Sequence, residues 1–130
     1  MKIFLDTNFI INLIVYTEHT EKAKEILSNI LDSVFYTSIN VVEEVMYITK
    51  KLTKMSNKET SEYVKNVIDN LKINVITDLP LSEFIEIFEN YNLLPNDALI
   101  AATCKYYGIN KIATFDDDFK RVDFLEVVEV

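Results

Sequence analysis

Four acidic residues stand far apart in the chain, each at a boundary that its neighbours define. They are Asp6 in IFLDTN, Glu44 in SINVVEEVMYI, Asp97 in LLPNDALIAAT and Asp116 in IATFDDDF. Asp6 and Asp116 each follow a short apolar run, Asp97 opens an apolar helical segment, and Glu44 interrupts the apolar face of another. If a fold gathers four carboxylates, they repel at close range and need a cation between them. A set made only of carboxylates suits hard, oxygen-preferring ions such as Mg²⁺ or Mn²⁺. A divalent ion held in this way is a common means of hydrolysing a phosphodiester.

Each acid also has a purely structural explanation. Asp6, followed by Thr7 and Asn8, has the residue type of a helix N-cap. Asp97 falls in the first turn of a helix, where negative charge complements the macrodipole, and Asp116, Asp117 and Asp118 resemble a turn. Glu44 is more informative, because its helical neighbours Val41, Tyr47 and Ile48 are apolar and no base lies at contact spacing. A carboxylate at the edge of a core needs a partner. Glu43, beside Asn40 and Lys50, falls on a solvated face.

The elements that must position these acids are legible from pattern. Lys2–Leu5 is expected as a buried strand and Thr7 to Tyr16 as an apolar helix. Ala23, Ile26, Leu27, Ile30 and Leu31 predict a helix over Thr20 to Asp32. A second strand at Val34–Thr37 leads to Ser38, the expected N-cap of a helix running to about Leu52. Ser56 caps the next helix, with Tyr63, Val64, Val67, Ile68 and Leu71 as its buried stripe. Ile73–Thr77 is expected as a third strand, and Leu81, Phe84, Ile85 and Phe88 mark a helix that begins near Pro80. Pro95 to Tyr107 is a very apolar helix with Gly108 at its C′ position. Lys111–Thr114 and Phe124–Val128 complete five strands, with a short helical turn near Asp118. Strands that alternate with helices imply an α/β fold with a mainly parallel sheet covered on both faces. Such sheets bind ligands at the carboxyl ends of their strands, where strand order reverses.

The length of 130 residues suits one domain over residues 1–130, and 49% hydrophobic content argues against disorder. Every apolar run is broken before it could span a bilayer, and Asp6 interrupts any signal-peptide core. The lone Cys104 excludes an internal disulfide and a thiolate metal site, so a reduced, cytoplasmic setting is expected. The net charge of −8 sits awkwardly with a nucleic-acid partner, although bound divalent ions would invert the local field. Lys50, Lys51, Lys54 and Lys58 cluster, and a solvated helix end accounts for them better than a phosphate-binding patch does. The single His19, between Glu18 and Thr20, reads as exposed rather than as a general base.

The segments FLDTN, TSINVVEEV, LLPNDALIAAT and ATFDDDF together resemble the acidic motifs of PIN-domain ribonucleases, over about residues 2 to 128. Each motif is short, and the specificity lies in the ordered set. The resemblance implies a three-layer α/β/α sandwich with five strands in spatial order 3-2-1-4-5. It implies that Asp6, Glu44, Asp97 and Asp116 hold Mg²⁺ or Mn²⁺ for RNA hydrolysis, with Asp118 as an auxiliary acid. Glu44 is preferred to Glu43 because the family's acid precedes a single apolar residue, here Val45. Thr7, Asn8 and Thr114 match polar positions that orient the acids. The resemblance further implies a toxin of the VapC type, a homodimer silenced by a small antitoxin protein; a PIN-domain RNA-processing nuclease without an antitoxin is the alternative.

Other readings fit less of the chain. A phosphoacceptor receiver domain shares the size and an acidic Mg²⁺ pocket, with Asp78 as its acceptor, but it needs paired acids after strand one and a late lysine where Asp116 stands. A haloacid-dehalogenase-like phosphatase needs an aspartate at the position of Asn8. A non-catalytic interaction module could present Phe9, Ile10, Leu13 and Ile14, although core packing explains those residues equally well.

Overall fold

The chain begins with a strand that is apolar without interruption, because both of its faces are covered. In the computed structural model, which describes residues 1–129, β1 (Lys2–Leu5) has Ile3, Phe4 and Leu5 fully buried. A central strand of a parallel sheet loses the alternation that a half-exposed strand would show. The remaining strands are β2 (Val34–Ser38), β3 (Asn74–Ile76), β4 (Lys111–Ala113) and β5 (Glu126–Val127). They lie in the order β3-β2-β1-β4-β5, and every neighbouring pair is parallel. This is the expected order, with β3 and β5 shorter than their apolar runs.

Six α-helices connect the strands: α1 (Thr7–Ile14), α2 (Thr20–Asn29), α3 (Ile39–Thr53), α4 (Asn57–Asn70), α5 (Leu81–Asn90) and α6 (Pro95–Tyr106). A 3-10 turn, Asp117–Arg121, follows β4. The chain steps outward from β1 to β2 to β3, then crosses back to β4 on the other side of β1. Right-handed crossovers therefore put α1 to α4 on one face and α5 with α6 on the other. Packing agrees: α1 meets α2 and α3, α3 meets α4, and α5 meets α6. The result is the α/β/α sandwich, and the order reverses between β1 and β4.

Local chemistry sets several helix ends. Ser56 and Glu59 form a reciprocal capping box, the Ser56 hydroxyl accepting from Glu59 N and Glu59 Oε1 accepting from Ser56 N. Gly108, at φ +70°, closes α6 in a Schellman turn, with Ile109 N donating to Cys104 O and Gly108 N to Lys105 O. Ser38 occupies the N-cap position of α3, but its hydroxyl bonds Asn40 Oδ1 instead of a helix amide. Helix α1 stops at Ile14, two residues before the expected Tyr16, where Thr17 N bonds Thr20 Oγ1 and turns the chain into α2. Helix α2 likewise ends at Asn29, which leaves Leu31 exposed.

The buried face of α4 differs from expectation, and α5 is mostly exposed. Tyr63 on α4 is exposed while Val64 beside it is buried. On α5 only Ile87 is fully buried; Leu81 is 73% exposed, and Ile85 and Phe88 also face solvent. By contrast, Phe9 and Ile10 on α1 are core residues, with Leu13 and Ile14 packed against the core, so that helix offers no free apolar face.

Candidate metal centre

The cleft opens at the carboxyl end of the sheet, where β1 and β4 diverge. It occupies about 250 Å³, and Asp6, Glu44, Asp97 and Asp116 all line it. Asp6 comes from the end of β1, Glu44 from the middle of α3, Asp97 from the first turn of α6 and Asp116 from just beyond β4. Thr7, Asn8, Ile11, Asn12, Ile48 and Asn96 complete the lining, which includes no lysine, arginine or histidine. Carboxylate oxygens of Asp97, Asp116 and Asp118 lie within 4.8 Å of one another, a spread that suits ligands converging on one ion at bonds of about 2.0–2.6 Å. Asp6 and Glu44 share the cleft but lie outside that tight trio.

Asp6 is the helix cap that its sequence context allows, and it lines the cleft as well. Its Oδ1 caps α1 by accepting from Thr7 N at 2.7 Å, and its Oδ2 accepts from the Thr114 hydroxyl at 2.8 Å. It is 5% exposed. Burial pushes its pKa up, the Thr114 and Thr7 bonds pull it down, and the charges of Asp116 and Glu44 raise it again. Asp97 is 9% exposed and caps nothing, since Leu94 holds the N-cap position of α6. Its pKa is pushed up to about 6, first by burial and then by the charges of Asp116, Asp6 and Asp118. Two carboxylates that resist ionisation, first because they are buried and then because other acids lie close, fit a site that takes positive charge.

The polar neighbours hold the acids in place. Thr114 Oγ1 accepts from Asp116 N at 3.0 Å while donating to Asp6, so one hydroxyl joins two of the four acids. Asn8 Oδ1 accepts from Phe115 N at 2.9 Å and fixes the chain between Thr114 and Asp116. Asp116 Oδ1 accepts from Asp118 N, which starts the 3-10 turn, and Asp118 Oδ1 is paired with Arg121 Nη2 at 3.0 Å. Thr7 reaches Asp6 only through its backbone; its buried hydroxyl has no hydrogen-bond partner among the described residues. An unpartnered hydroxyl in a residue that lines an all-oxygen cleft fits a hard cation with its water shell. Glu44 is half-buried and Glu43 exposed, as the helical neighbours indicated. Two polar lining residues escaped the reading of the sequence, Asn12 and Asn96. Asn12 is buried, donates to Asn8 O at 2.7 Å and accepts from the Thr17 hydroxyl. A polar residue inside the apolar stretch NFIINLI was the available signal.

Residues 3–125 match the profile of the PIN domain. The chain belongs to the PIN-domain family. This PIN domain is 38% identical to Ribonuclease VapC2 of Methanocaldococcus jannaschii, an alignment covering 99% of this chain and 94% of that protein. Its fold is similar to that of VapC20 from Mycobacterium tuberculosis, described as a Sarcin-Ricin loop cleaving toxin, with a TM-score of 0.76 and 21% identity over 97% of this chain and 98% of that one. It is also similar to a chain of VapBC2 from Rickettsia felis bound to a DNA fragment from their promoter, with a TM-score of 0.73 and 18% identity over 98% and 97%. The receiver-domain alternative does not survive these findings. Asp78 is exposed, and it lines a separate pocket with Ser38, Asn40 and Thr103 rather than the acidic cleft. No helix among the described residues is long and apolar enough to cross a membrane.

Proposed function

We propose that this chain is a Mg²⁺- or Mn²⁺-dependent endoribonuclease, and that Asp6, Glu44, Asp97 and Asp116 hold the metal. The observation that carries the reading is the meeting of these four carboxylates in one cleft of a PIN domain with no base among its lining residues. The bound ion would supply Lewis acidity toward the attacking water and charge neutralisation at the scissile phosphate. The chain supplies the geometry. Thr114 fixes the orientation of Asp6 and of the backbone at Asp116, Asn8 pins the intervening residue, and Asp118 sits close enough to Asp97 and Asp116 to add a ligand. No histidine lines the cleft, so a proton from the attacking water passes to a carboxylate or to solvent. Asp97→Asn should abolish RNA cleavage while leaving the fold intact. If the D97N chain cuts RNA at the unaltered rate, the assignment is wrong.

The biological role that goes with this chemistry is a cytoplasmic toxin restrained by a small antitoxin protein. Its support is the 38% identity to Ribonuclease VapC2 and the toxin named in the VapC20 description. Self-association as a homodimer has a physical basis in α5, whose Leu81, Ile85 and Phe88 present an apolar stripe to solvent. Isolating the protein from its native host tests the toxin role: a small co-purifying protein that blocks cleavage supports it, and free, active protein favours an RNA-processing nuclease.

A further inference from the structure

Lys50, Lys51, Lys54 and Lys58 crowd the end of α3 and the start of α4 in a chain of net charge −8. Three structural facts go beyond their spacing. First, none of the four pairs with a carboxylate among the described residues; Lys2, Lys22, Lys72 and Lys105 are likewise unpaired but stand singly along the chain. Second, Lys51 follows Glu44 by seven positions on α3, which is two turns along the same face, or about 10 Å. Third, Ile48 lies between them on that face and lines the acidic cleft, and exposure grows from half-buried Glu44 and Ile48 to exposed Lys51. The cleft therefore opens along α3 toward unpaired positive charge. Lys50 is a different case, since its ammonium is tied to Asn57 Oδ1.

We propose that Lys51, with Lys54 and Lys58 beyond it, holds phosphates of the RNA strand where it leaves the carboxylate cleft. The inference rests on the ribonuclease reading and specifies which part of the surface carries the substrate. Helix α3 then has an acidic half that serves the metal and a basic half that serves the sugar-phosphate chain. A lysine ammonium is a compact charge with rotatable donors, suited to phosphates irrespective of base sequence. In a protein of net charge −8 such a track offsets the repulsion that phosphates meet from the surrounding acids. Lysines near a helix C-terminus also complement its dipole. That role alone affects helix stability and leaves RNA affinity untouched, so the two can be separated.

The test measures binding of a mixed-sequence single-stranded RNA by fluorescence anisotropy, with Mg²⁺ present, across a range of salt. D97N serves as the background so that the RNA stays whole. Adding K51Q, K54Q and K58Q is expected to weaken binding about 10- to 100-fold at low salt and to flatten the salt dependence by about 2 in log–log slope, at roughly 0.7 per phosphate contact. A control with K2Q, K72Q and K111Q, at the amino ends of the strands, removes equal charge and is expected to leave both values in place. In the chain with Asp97 intact, the three α3–α4 substitutions should raise KM more than they lower kcat. Unchanged affinity and slope would overturn the proposal, as would an equal loss in the control, or a lowered melting temperature with affinity retained. If the unaltered chain cuts no RNA yet the lysine variant still binds it poorly, the nuclease assignment fails and the phosphate track stands.

Discussion

The hydroxyl of Thr114 donates to Asp6 Oδ2 across 2.8 Å and joins two residues 108 positions apart in the chain. The same oxygen accepts from Asp116 N, so a single side chain sets the spacing of two acids on either side of the strand reversal. Thr114→Val keeps the shape and removes both bonds. Supporting residues of this kind are typically worth about 10- to 100-fold in metal affinity or activity. Calorimetric titration with Mn²⁺ and RNA cleavage assays should both register a loss of that size; an unchanged Mn²⁺ affinity would mean that Asp6 is held by other means.

Asp97→Asn should separate activity from stability in opposite directions. Cleavage should fall by at least about 10³-fold if the carboxylate is needed for a metal-assisted step. Metal-free protein should become more stable at neutral pH, because a buried charge facing Asp6, Asp116 and Asp118 is gone. Thermal unfolding in EDTA reads the second effect, and a lower melting temperature would contradict it.

The pH dependence of metal-free stability follows from the same groups. Asp97 is raised to about 6, and Asp6 is raised as well, above an unfolded value of about 3.9. Between those values the folded chain binds more protons than the unfolded chain, so unfolding free energy falls as pH rises. The contribution of Asp97 is fully present below about pH 4 and is lost by the time pH passes about 6, a change on the order of 1–3 kcal/mol. Urea unfolding in EDTA across this interval should show the decline, and saturating Mn²⁺ or D97N should flatten it. Equal slopes in D97N and the unaltered chain would assign the decline elsewhere.

Ser56→Ala removes half of the capping box on α4, well away from the cleft. Loss of a serine N-cap costs about 1 kcal/mol. Chemical denaturation should show that loss with kcat for RNA cleavage unchanged, any effect falling on KM through the adjacent Lys54 and Lys58.

Aspartate at both Leu81 and Phe88 would place charge on the outward stripe of α5. If the stripe mediates the proposed dimer, sedimentation should report this variant as a monomer and the unaltered chain as a dimer. A dimer that persists must use another surface.

How much of this was written in the sequence depends on what each signal measures. Helical spacing distinguished Glu44 from Glu43, because the neighbours of Glu44 are apolar and its face had to lie near the core. Strand positions followed from continuous apolar runs, and their spatial order came from the family resemblance. The orientation of α5 was not legible: Leu81, Phe84, Ile85 and Phe88 share a face by spacing, yet spacing does not say what covers that face. Short polar side chains were also ambiguous. Ser38 looked like a cap and bonds Asn40 instead, while Thr7 contributes its amide rather than its hydroxyl. Serine, threonine and asparagine have several local partners within reach, and tertiary packing selects among them.

The reversal of strand order between β1 and β4 has a bearing on synthesis. Asp6 leaves the ribosome long before Asp116, which is added only after α6 is complete at Tyr106. Until β4 inserts beside β1, the early acid has no late counterpart and the pocket does not exist. A nascent product halted before that strand thus has only part of the carboxylate set, and on the proposed reading it cannot yet cut RNA.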